Sequence, residues 1–412
     1  MKYSCIIIGG GAAGMMAAIQ AAKNSISVAL LEKNKILGKK LLLTGKSRCN
    51  LTTAKNKKKI IAAFEETGNG KFLWDSLNNF DNEDLCNWFR SRGLELKEER
   101  GKRIFPVTDK ASSVVNVLRE ELEKQKITIH KKTKAKKIEK KDGRFTIKTN
   151  KKAFETEKVI LATGGKSYPQ TGSTGEGYKF CKQLGHRITS LKGSLVPFKV
   201  KDKDITSLQG LKLKNVTLSL YSNKNLITKQ FGEMIFTHFG ISGPIVLEAS
   251  RFYDPEKHKN ATAQIDFKPA LDKETLDQRI LREIKENLYL DYKNMLKNLL
   301  PSKIIPLTVK KTNIDPHKNI SQLTQEERQK LIHLLKKFEF KIKGTLGIKE
   351  AIITAGGVDL AEIEPTTMES KLCPDLYIAG ELLNLDGPTG GFNLQMCFTT
   401  GYTAGKAAGK TH

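Results

Sequence analysis

The sequence predicts an α/β protein in which one discontinuous domain is interrupted by a small β-barrel and a helical subdomain. Three observations predict this class. The chain begins with an apolar strand, a glycine turn and a helix ("YSCIIIGGGAAGMMAAIQAAKN"). Strands that end in glycine occur again near its end ("AIITAGG", "DLYIAGELL"). Between them, residues 192–345 change to short strands and amphipathic helices, which is typical of an insertion into a nucleotide-binding type of domain.

The first elements form a βαβ unit. A buried strand at Cys5–Ile8 leads through the glycine turn into a helix from about Ala12 to Lys23, and a second buried strand ends at Glu32. Residues 3–22 carry no charge, which also suggests a signal peptide or a membrane span. The glycines come too early for the apolar core of a signal peptide, and the stretch only just reaches membrane length, so we favour strand, loop and helix.

The turn of this unit has the spacing of a dinucleotide-binding loop. Gly9, Gly11 and Gly14 follow the pattern GxGxxG, and Glu32 stands 18 residues after the last glycine. The first glycine permits the tight turn, the second lets the backbone approach a pyrophosphate, and the third lets helix and strand pack closely. The helix N-terminus offers N–H donors to the phosphates, and Glu32 is predicted to accept hydrogen bonds from ribose hydroxyls.

The following segments extend this domain. The basic, glycine-punctuated stretch 38–53 is predicted to be a second loop over the cofactor, and residues 60–125 are predicted to be mostly helical. Alternating residues around Asp142-Gly143 predict a β-hairpin, and we interpret its lysine run as a solvated sheet face rather than an RNA-binding track. A further buried strand, "EKVILATGG", runs into glycines at 164 and 165.

The change of pattern after residue 191 predicts the insertion. Short strands with turn signals indicate a barrel. The runs 273–300 and 324–338 are predicted to be amphipathic helices, and 306–319 is polar and proline-marked. The two late strand-and-glycine units are predicted to lie beside the units at the start of the chain. The predicted boundaries are 1–191 and 346–412 for the discontinuous domain, 192–270 and 334–345 for the barrel insert, and 271–333 for the helical insert.

The net charge and the ratio of lysine to arginine limit the binding partners that the sequence suggests. The net charge of +27 could indicate a nucleic acid, an acidic substrate or a membrane surface as partner. However, 59 of the 71 basic residues are lysine and only 12 are arginine, the residue that reads phosphates and bases specifically. We therefore favour a compositional bias over a dedicated nucleic-acid face. Residues 351–412 are acidic instead, with three lysines against seven Asp or Glu.

The six cysteines are scattered, and none forms a CxxC pair, which argues against a redox dithiol and a zinc ribbon. No metal site is predicted. Nothing indicates a disulfide framework, so a reducing cytoplasm is the expected location.

These motifs together resemble a known family. One GxGxxG with an acid, an ATGG strand and a late strand-glycine-acid unit resemble flavoproteins of the glutathione-reductase fold. Five segments are more specifically similar to the bacterial BaiN/YhiN-like, aminoacetone-oxidase-type FAD-dependent oxidoreductases: "GGGAAG", "TGKSRCNLT", "ATGGKSYPQTGSTGEGY", "THFGISGP" and "TAGGV…TMESK…LYIAGELLNLDGPTGGFNLQ". The resemblance spans essentially the whole chain. It implies a discontinuous Rossmann-like FAD-binding domain with an inserted small β-barrel and a helical subdomain.

The resemblance also implies which residues contact the cofactor, a non-covalent FAD. The flavin is expected near the final helix, the ribityl chain near Glu381, and adenine near the backbone of Ala135. After Gln395 this chain departs from the family pattern ("MCFTTG"), which leaves the role of Cys397 open. The implied cofactor residues are Gly9, Gly11, Ala12, Ala13, Gly14, Glu32, Lys33, Lys39, Lys40, Arg48, Cys49, Asn50, Ala135, Thr163, Gly164, Glu381, Asp386, Gly391, Phe392, Asn393 and Leu394.

The catalytic residues are less defined. A second GxGxxG after a strand is absent from the sequence, so a dedicated nicotinamide domain is not expected, and NAD(P)H is considered only as a transient donor. Weak catalytic candidates are Arg103, Tyr168, His238, Thr354 and Cys49, each of which also has an ordinary structural explanation.

Three classes of function stay open. The first, which we favour, is an oxidoreductase that reduces an activated double bond or oxidises an amine in a small molecule. The second is a flavin-dependent RNA-modifying enzyme, although the lysine excess predicts only weak and non-specific RNA binding. The third is a non-catalytic flavin-bound scaffold or redox sensor. No membrane partner is expected, and the sequence predicts no oligomeric state.

Overall fold

The computed structural model describes residues 1–24 and 26–410 and divides the chain into two compact units. One unit comprises Met1–Ser194 and Gly347–His412, and the other comprises Leu195–Leu346. Each unit has its own core of buried apolar side chains. Among the described residues, no helix combines the length and the apolarity needed to cross a bilayer.

The first segment of the first unit alternates strands with helices. Apolar, β-branched runs form its buried strands, and alanine-rich or amphipathic runs form its helices. In chain order the elements are β1 (Lys2–Ile8), α1 (Ala12–Ala22), β2 (Val28–Leu31), α2 (Thr44–Ser47), β3 (Thr52–Thr53), α3 (Lys57–Glu65), α4 (Trp74–Asn79), α5 (Asn82–Arg90), β4 (Leu96–Glu99), β5 (Arg103–Pro106), α6 (Ala111–Lys124), β6 (Thr128–His130), β7 (Ala135–Lys141), β8 (Arg144–Thr149), β9 (Ala153–Leu161), α7 (Glu176–Gln183) and β10 (Lys192–Ser194).

The second unit contains a closed barrel of six antiparallel strands, which confirms the predicted barrel. The strands follow one another around the barrel in the order β11, β14, β13, β12, β15 and β16. Most of its helices lie between the last two strands in sequence. The elements are β11 (Phe198–Val200), α8 (Lys203–Thr206), β12 (Lys212–Ser222), β13 (Asn225–Thr237), β14 (Gly240–Ser242), α9 (Pro244–Arg251), β15 (Thr262–Asp266), α10 (Lys273–Glu286), α11 (Tyr292–Met295), α12 (Ile305–Thr312), α13 (Gln325–Lys336) and β16 (Phe338–Thr345).

The chain then returns to the first unit. It adds β17 (Ile353–Ala355), β18 (Leu376–Ile378), a 3₁₀ turn at Gly380–Leu382 and the long helix α14 (Phe392–Ala408). Strand β18 pairs in parallel with β9, so part of the late segment lies beside the early strands, as predicted.

The main sheet brings three glycine loops to one edge. Its strand order is β6-β2-β1-β9-β8-β7, with β18 also paired to β9, and β7 and β8 are the antiparallel members. In the parallel part, Ile8 is in register with Leu161, and Leu161 is in register with Ile378. Strands β1, β9 and β18 therefore end together, and the loops that follow them are neighbours, as expected for a cofactor site at the carboxyl edge of a parallel sheet.

Helix α14 packs against α1 through small residues. A Cβ on Gly401 would lie 2.3 Å from the Ala13 carbonyl oxygen, and one on Gly405 would lie 2.2 Å from that of Ala17. Gly409 faces Ala21 in the same way. The four-residue glycine spacing thus lets two helix backbones touch, which joins the last helix of the chain to the first.

Several local predictions are wrong. The run 273–300 is not one continuous helix, because Asn287 leaves helical geometry and separates α10 from α11. The polar segment 306–319, for which no element was predicted, includes most of α12, whose proline occupies the first turn, where proline is tolerated. The stretch 60–125 is mostly helical, as predicted, and also contains the hairpin of β4 and β5. Strand β17 pairs with β10 in a separate two-stranded sheet and not with the main sheet.

Candidate cofactor site

In the loop between β1 and α1, two glycines are closely packed against protein backbone and a third borders open space. A Cβ on Gly9 would lie 2.3 Å from the Ala162 carbonyl oxygen, and a Cβ on Gly14 would lie 1.8 Å from that of Gly9. A Cβ on Gly11, the N-cap of α1, would meet no atom within 4 Å. Gly9 and Gly14 therefore serve close packing, whereas Gly11 leaves room beside N–H groups of the first helical turn that have no partner within the helix. Ala12 and Ala13, both buried, begin that turn.

Glu32 lies directly after β2 and is fastened to the glycine loop. Its Oε2 accepts a hydrogen bond from the Gly10 N–H at 2.8 Å, and its Oε1 accepts from the N–H and Nδ2 of Asn34 at 2.6 and 2.7 Å. A carboxylate has about four acceptor positions, so Oε2 keeps one for a further donor. The Glu32 carbonyl accepts from the Thr133 N–H, which brings the segment leading to Ala135 beside it.

Lys33, Lys39 and Lys40 all reach the segment 166–176. Lys33 pairs with Glu176, Lys39 Nζ donates to the Gln170 carbonyl at 2.6 Å, and Lys40 Nζ donates to Ser167 Oγ at 2.8 Å. Burial raises the pKa of Glu176, but hydrogen bonds from Lys33, Thr174 and Lys134 outweigh it and lower the pKa to about 2. The lysines therefore join two loops of the site, and the charges of Lys33 and Lys40 are already paired with Glu176 and Glu381.

Thr163 and Gly164 follow β9 at the same sheet edge. The Thr163 hydroxyl is buried and has no hydrogen-bond partner among the described residues. Its oxygen would lie only 2.0 Å from a Cβ on Gly177, so the hydroxyl packs against α7 and does not face open space. Gly164 has φ of 72°, a left-handed conformation that favours glycine.

Glu381 stands in the 3₁₀ turn after β18 and gathers three donors. Lys40 Nζ lies 2.6 Å from one oxygen, and the Ser167 hydroxyl and the Thr354 N–H donate to the other at 2.8 and 2.9 Å. The carboxylate is only 9% exposed. Residues far apart in sequence thus hold one acid in a fixed position.

The loop before α14 is held by two asparagines. In the amide orientation that satisfies its neighbours, Asn50 accepts from the Gly391 N–H at 3.1 Å and donates to the Thr52 carbonyl at 3.1 Å. Asn393 Oδ1 accepts from the Gly387 N–H at 2.8 Å.

The other residues predicted in this region are mostly buried. Asp386 accepts a hydrogen bond from Ser194 at 2.9 Å, Phe392 is buried, and Leu394 is half-buried. Cys397 lies near Gly380.

Arg48 and Cys49 occupy a loop with unusual backbone geometry. Lys46, Ser47 and Cys49 all have φ near 60°, which costs non-glycine residues about 1–2 kcal/mol each. The Arg48 guanidinium pairs with Glu99 and Asp109 and lies 4.3 Å from the Phe105 ring centroid. Burial raises the pKa of the Cys49 thiol to about 12, so it is protonated at neutral pH.

The other catalytic candidates have different local surroundings. Arg103 Nε donates to the Arg100 carbonyl, and the Tyr168 carbonyl accepts from Thr171. Thr354 is fully buried, and its hydroxyl accepts from the Lys166 N–H at 2.8 Å. His238 belongs to the second unit, where it is exposed and lies edge-on to Phe239. The Thr354 N–H donates to Glu381, one of the site acids.

One hydrogen-bonded row was not foreseen from the sequence. His186 Nδ1 lies 2.9 Å from Glu362 Oε2, and its Nε2 lies 2.8 Å from Ser370 Oγ. The order resembles a hydrolase triad, but Ser370 is 4% exposed and its Oγ accepts from the N–H groups of Leu372 and Cys373. A serine already engaged as a turn acceptor supports a structural role.

The residues present fit an extended dinucleotide such as FAD. Gly11 leaves open space at a helix N-terminus, and Glu32 keeps a spare acceptor. Asn34 and Ser167, which orient the two site acids, were missed from the sequence. Asn34 stands two residues from Glu32, a spacing that could have indicated it, whereas nothing local indicates Ser167.

Comparison with known proteins supports this assignment. A model described as the HI0933-like protein Rossmann domain matches residues 3–407. The chain is 32% identical over 406 residues to a protein of Clostridium scindens named 3-dehydro-bile acid delta(4,6)-reductase, with 98% of each chain covered. It is 31% identical over 407 residues to a Haemophilus influenzae protein named ribosomal RNA dihydrouridine synthase, with 96% of each covered.

Solved structures share the fold. The 3-ketosteroid-delta4-(5alpha)-dehydrogenase of Rhodococcus jostii RHA1 superimposes with a TM-score of 0.54 at 15% identity, covering 100% of this chain and 97% of that one. The 3-ketosteroid delta1-dehydrogenase of Sterolibacterium denitrificans gives 0.53 at 11% identity, with 99% of each chain covered. At such identities the likeness shows the fold alone, and it confirms the predicted Rossmann-type α/β class.

Proposed function

This chain belongs to the HI0933-like Rossmann family and is an FAD-dependent oxidoreductase, and from that premise we propose that it reduces a carbon–carbon double bond conjugated to a carbonyl group in a small molecule. One relative is named as a delta(4,6)-reductase, and another is named for making dihydrouridine, which is uridine with its ring double bond saturated. Both names describe hydride addition to an activated double bond. They favour that reaction over amine oxidation.

The cofactor part of the proposal is carried by the open space at Gly11, where a Cβ would meet no atom within 4 Å at the N-terminus of α1. When bound, FAD supplies hydride transfer. In our assignment the Gly11 turn and Glu32 hold the pyrophosphate and ribose, and Glu381 holds the ribityl hydroxyls. The FAD-binding domain then comprises residues 1–191 and 346–412, with the barrel and helical inserts between them.

The N-terminus of α14 is assigned to the flavin ring. This helix has 17 residues, and a helix N-terminus carries a partial positive charge that stabilises negative charge next to it. Asn50 and Asn393 keep the loop before it in place.

The proposed reduction needs a hydride and a proton. Hydride addition to a conjugated double bond leaves negative charge on the carbonyl oxygen, and one proton must then be added to the neighbouring carbon. NAD(P)H is the proposed transient donor, and the free cysteines support a cytoplasmic location.

A uracil base in RNA is the second candidate substrate. The 31% identical relative named as a ribosomal RNA dihydrouridine synthase favours it. Uracil also contains a double bond conjugated to a carbonyl. The non-catalytic scaffold is set aside, because the chain is an oxidoreductase.

Anaerobic reduction followed by a choice of acceptors tests the proposal. The holoenzyme is reduced with NADH or NADPH and mixed with a steroidal enone, with uridine-containing RNA, or with buffer alone. We expect rapid reoxidation by the enone and a product that has gained two hydrogens by mass spectrometry. Dihydrouridine in the RNA without enone turnover would move the assignment to the second candidate. Reduction of the oxidised enzyme by amines, with neither acceptor turned over, would contradict both.

A further inference from the structure

The segment 131–152 concentrates positive charge on one side of the first unit. It contains eleven basic residues, ten of them lysine, and two acidic ones, a net charge of +9 in a chain of net +27. It comprises the loop after β6, the hairpin of β7 and β8, and the turn before β9. We call it the basic hairpin.

Neighbouring acids neutralise only part of this charge. Glu176 pairs with Lys134, Asp375 with Lys140, Glu157 with Arg144, and Glu139 with both Lys137 and Lys148. The remaining six lysines are exposed and have no carboxylate within 4.0 Å in the part of the chain that the structure describes. They are Lys131, Lys132, Lys136, Lys141, Lys151 and Lys152.

The strand register places like charges opposite each other. Lys137 pairs with Lys148 across β7 and β8, and Lys141 pairs with Arg144. A single carboxylate, Glu139, lies near both members of the first pair, 2.6 Å from Lys137 and 3.2 Å from Lys148. Like charges in directly opposite positions destabilise a sheet, and a bound polyanion would remove that cost.

The two loops at the other end of the hairpin are fastened together. Asn150 Oδ1 accepts from the Lys134 N–H at 2.7 Å, and its Nδ2 donates to the Lys132 carbonyl at 3.3 Å. Lysines from both loops thus form one cluster. Burial lowers the pKa of the adjacent His130, and the charges of Lys152 and Lys151 lower it further, as expected in a positive field.

Protection of a sheet edge does not account for the charge. Lysine on an edge strand prevents unwanted strand pairing, and β7 is an edge of the sheet. Yet only four of the eleven basic residues lie on β7, and the others lie on the interior strand β8 and in the loops. The cluster therefore calls for another explanation.

In place of the solvated sheet face that the sequence pattern favours, we propose that the basic hairpin binds the phosphate backbone of RNA. Phosphate contacts supply most non-specific affinity for nucleic acids, and lysine acts as a point charge that does not select a base. The segment between 131 and 152 contains none of the large apolar side chains that the structure exposes, so it lacks the groups with which a protein enters a lipid surface. This inference rests on the second candidate of the proposed function and names the surface by which RNA is held.

The test compares two variants with the same loss of charge. In the hairpin variant, four of the unpaired lysines become glutamine: K131Q/K132Q/K136Q/K141Q. In the control variant, four exposed lysines of the second unit change in the same way: K214Q/K224Q/K257Q/K341Q. Both are purified as holoenzymes, and equal flavin absorbance per chain verifies folding. Binding of a fluorescent, uridine-containing RNA stem-loop is measured by anisotropy at several KCl concentrations, without a reductant.

We expect the hairpin variant to bind at least tenfold more weakly than the parent, and the control variant to stay within about threefold. The slope of log affinity against log salt should fall by about 3 for the hairpin variant, since each lost phosphate contact removes about 0.7–0.9. Equal losses in both variants would overturn the local surface in favour of a diffuse charge effect. Hairpin-dependent binding to phosphatidylserine vesicles without RNA binding would overturn RNA as the partner. Because no turnover is involved, failure of the proposed reaction would leave this result unchanged.

Discussion

The Lys40 ammonium lies 2.6 Å from a carboxylate oxygen of Glu381, although 341 residues separate the two in sequence. Lys40 belongs to the first segment of the discontinuous unit and Glu381 to the second. Ser167 donates to the other Glu381 oxygen, so three loops converge on one acid. The ion pair therefore connects the two sequence segments of this unit at the place assigned to the ribityl group of the cofactor.

Removing the lysine should destabilise the unit. Lys40→Met leaves a carboxylate that is 9% exposed without its counter-charge, and we expect the free energy of unfolding to fall by about 1–3 kcal/mol. Chemical denaturation of the FAD-free protein measures this. Adding Glu381→Gln to Lys40→Met should recover part of the loss, since the uncompensated charge is gone. Strictly additive losses in the double variant would show that the two side chains are not coupled.

Glu32→Gln should weaken FAD binding at least tenfold. The neutral amide can still accept from the Gly10 N–H, but the charge-assisted hydrogen bond proposed to the ribose is lost, worth about 1.5–3 kcal/mol. Flavin titration of the FAD-free protein gives the dissociation constant. The matched control is Glu155→Gln, an exposed glutamate of β9, which should bind FAD like the parent. An unchanged constant for Glu32→Gln would refute the ribose assignment.

The purified protein should be yellow and should release FAD, not FMN, on heating. In our assignment the glycine loop and Glu32 hold the pyrophosphate and the adenosine ribose, which FMN lacks. Chromatography of the released flavin decides the question. FMN, or a protein that stays colourless after incubation with FAD, would contradict the site.

Cys49 should be unreactive in the folded protein. With its pKa raised to about 12 by burial, only roughly one thiol in 10⁴ is ionised at pH 8, and its side chain is fully buried. Iodoacetamide should therefore not label Cys49 in the native protein but should label it after unfolding, as mass spectrometry of peptides can show. Fast native labelling accompanied by loss of flavin reduction would instead indicate a redox thiol beside the cofactor.

Local patterns predicted the fold better than the details of the site. The GxGxxG loop is encoded within six residues. In the structure Gly9 and Gly14 pack against backbone atoms, whereas Gly11 borders open space. The short strand β17 could not be placed from sequence, because an apolar run does not reveal its partner strand, here β10. The break at Asn287 was missed because the apolar pattern continues through it.

The side-chain contacts of the site could not be predicted because they join residues that are far apart in sequence. The convergence of Lys40, Ser167 and Thr354 on Glu381 depends on how three loops meet in space. The same holds for Arg48: the family resemblance implies a cofactor contact, and the structure shows that Glu99 and Asp109 already pair with it. Sequence patterns identify residues with suitable chemistry, but only the folded chain shows which of them already have partners.

Gly390 and Gly391, adjacent in the loop before α14, allow a sharp test of that loop. Both have left-handed φ, 107° and 98°, so alanine strains the backbone at either position by a similar amount, about 1–2 kcal/mol. They differ in their surroundings: a Cβ on Gly391 would lie 2.3 Å from the Thr52 carbonyl, whereas one on Gly390 would first meet the Phe392 ring at 3.5 Å. The close approach at Gly391 is thus to protein backbone.

We therefore expect Gly391→Ala to lower both stability and FAD affinity well beyond Gly390→Ala, because the clash displaces Thr52 and the start of α14 together. Thermal unfolding and flavin titration of both variants measure this difference, with the strain common to both cancelling in the comparison. Retention of flavin should be near the parent level for Gly390→Ala and strongly reduced for Gly391→Ala. If the two variants behave alike, the contact of Gly391 with Thr52 does not position the helix N-terminus, and the assignment of α14 to the flavin ring loses its support.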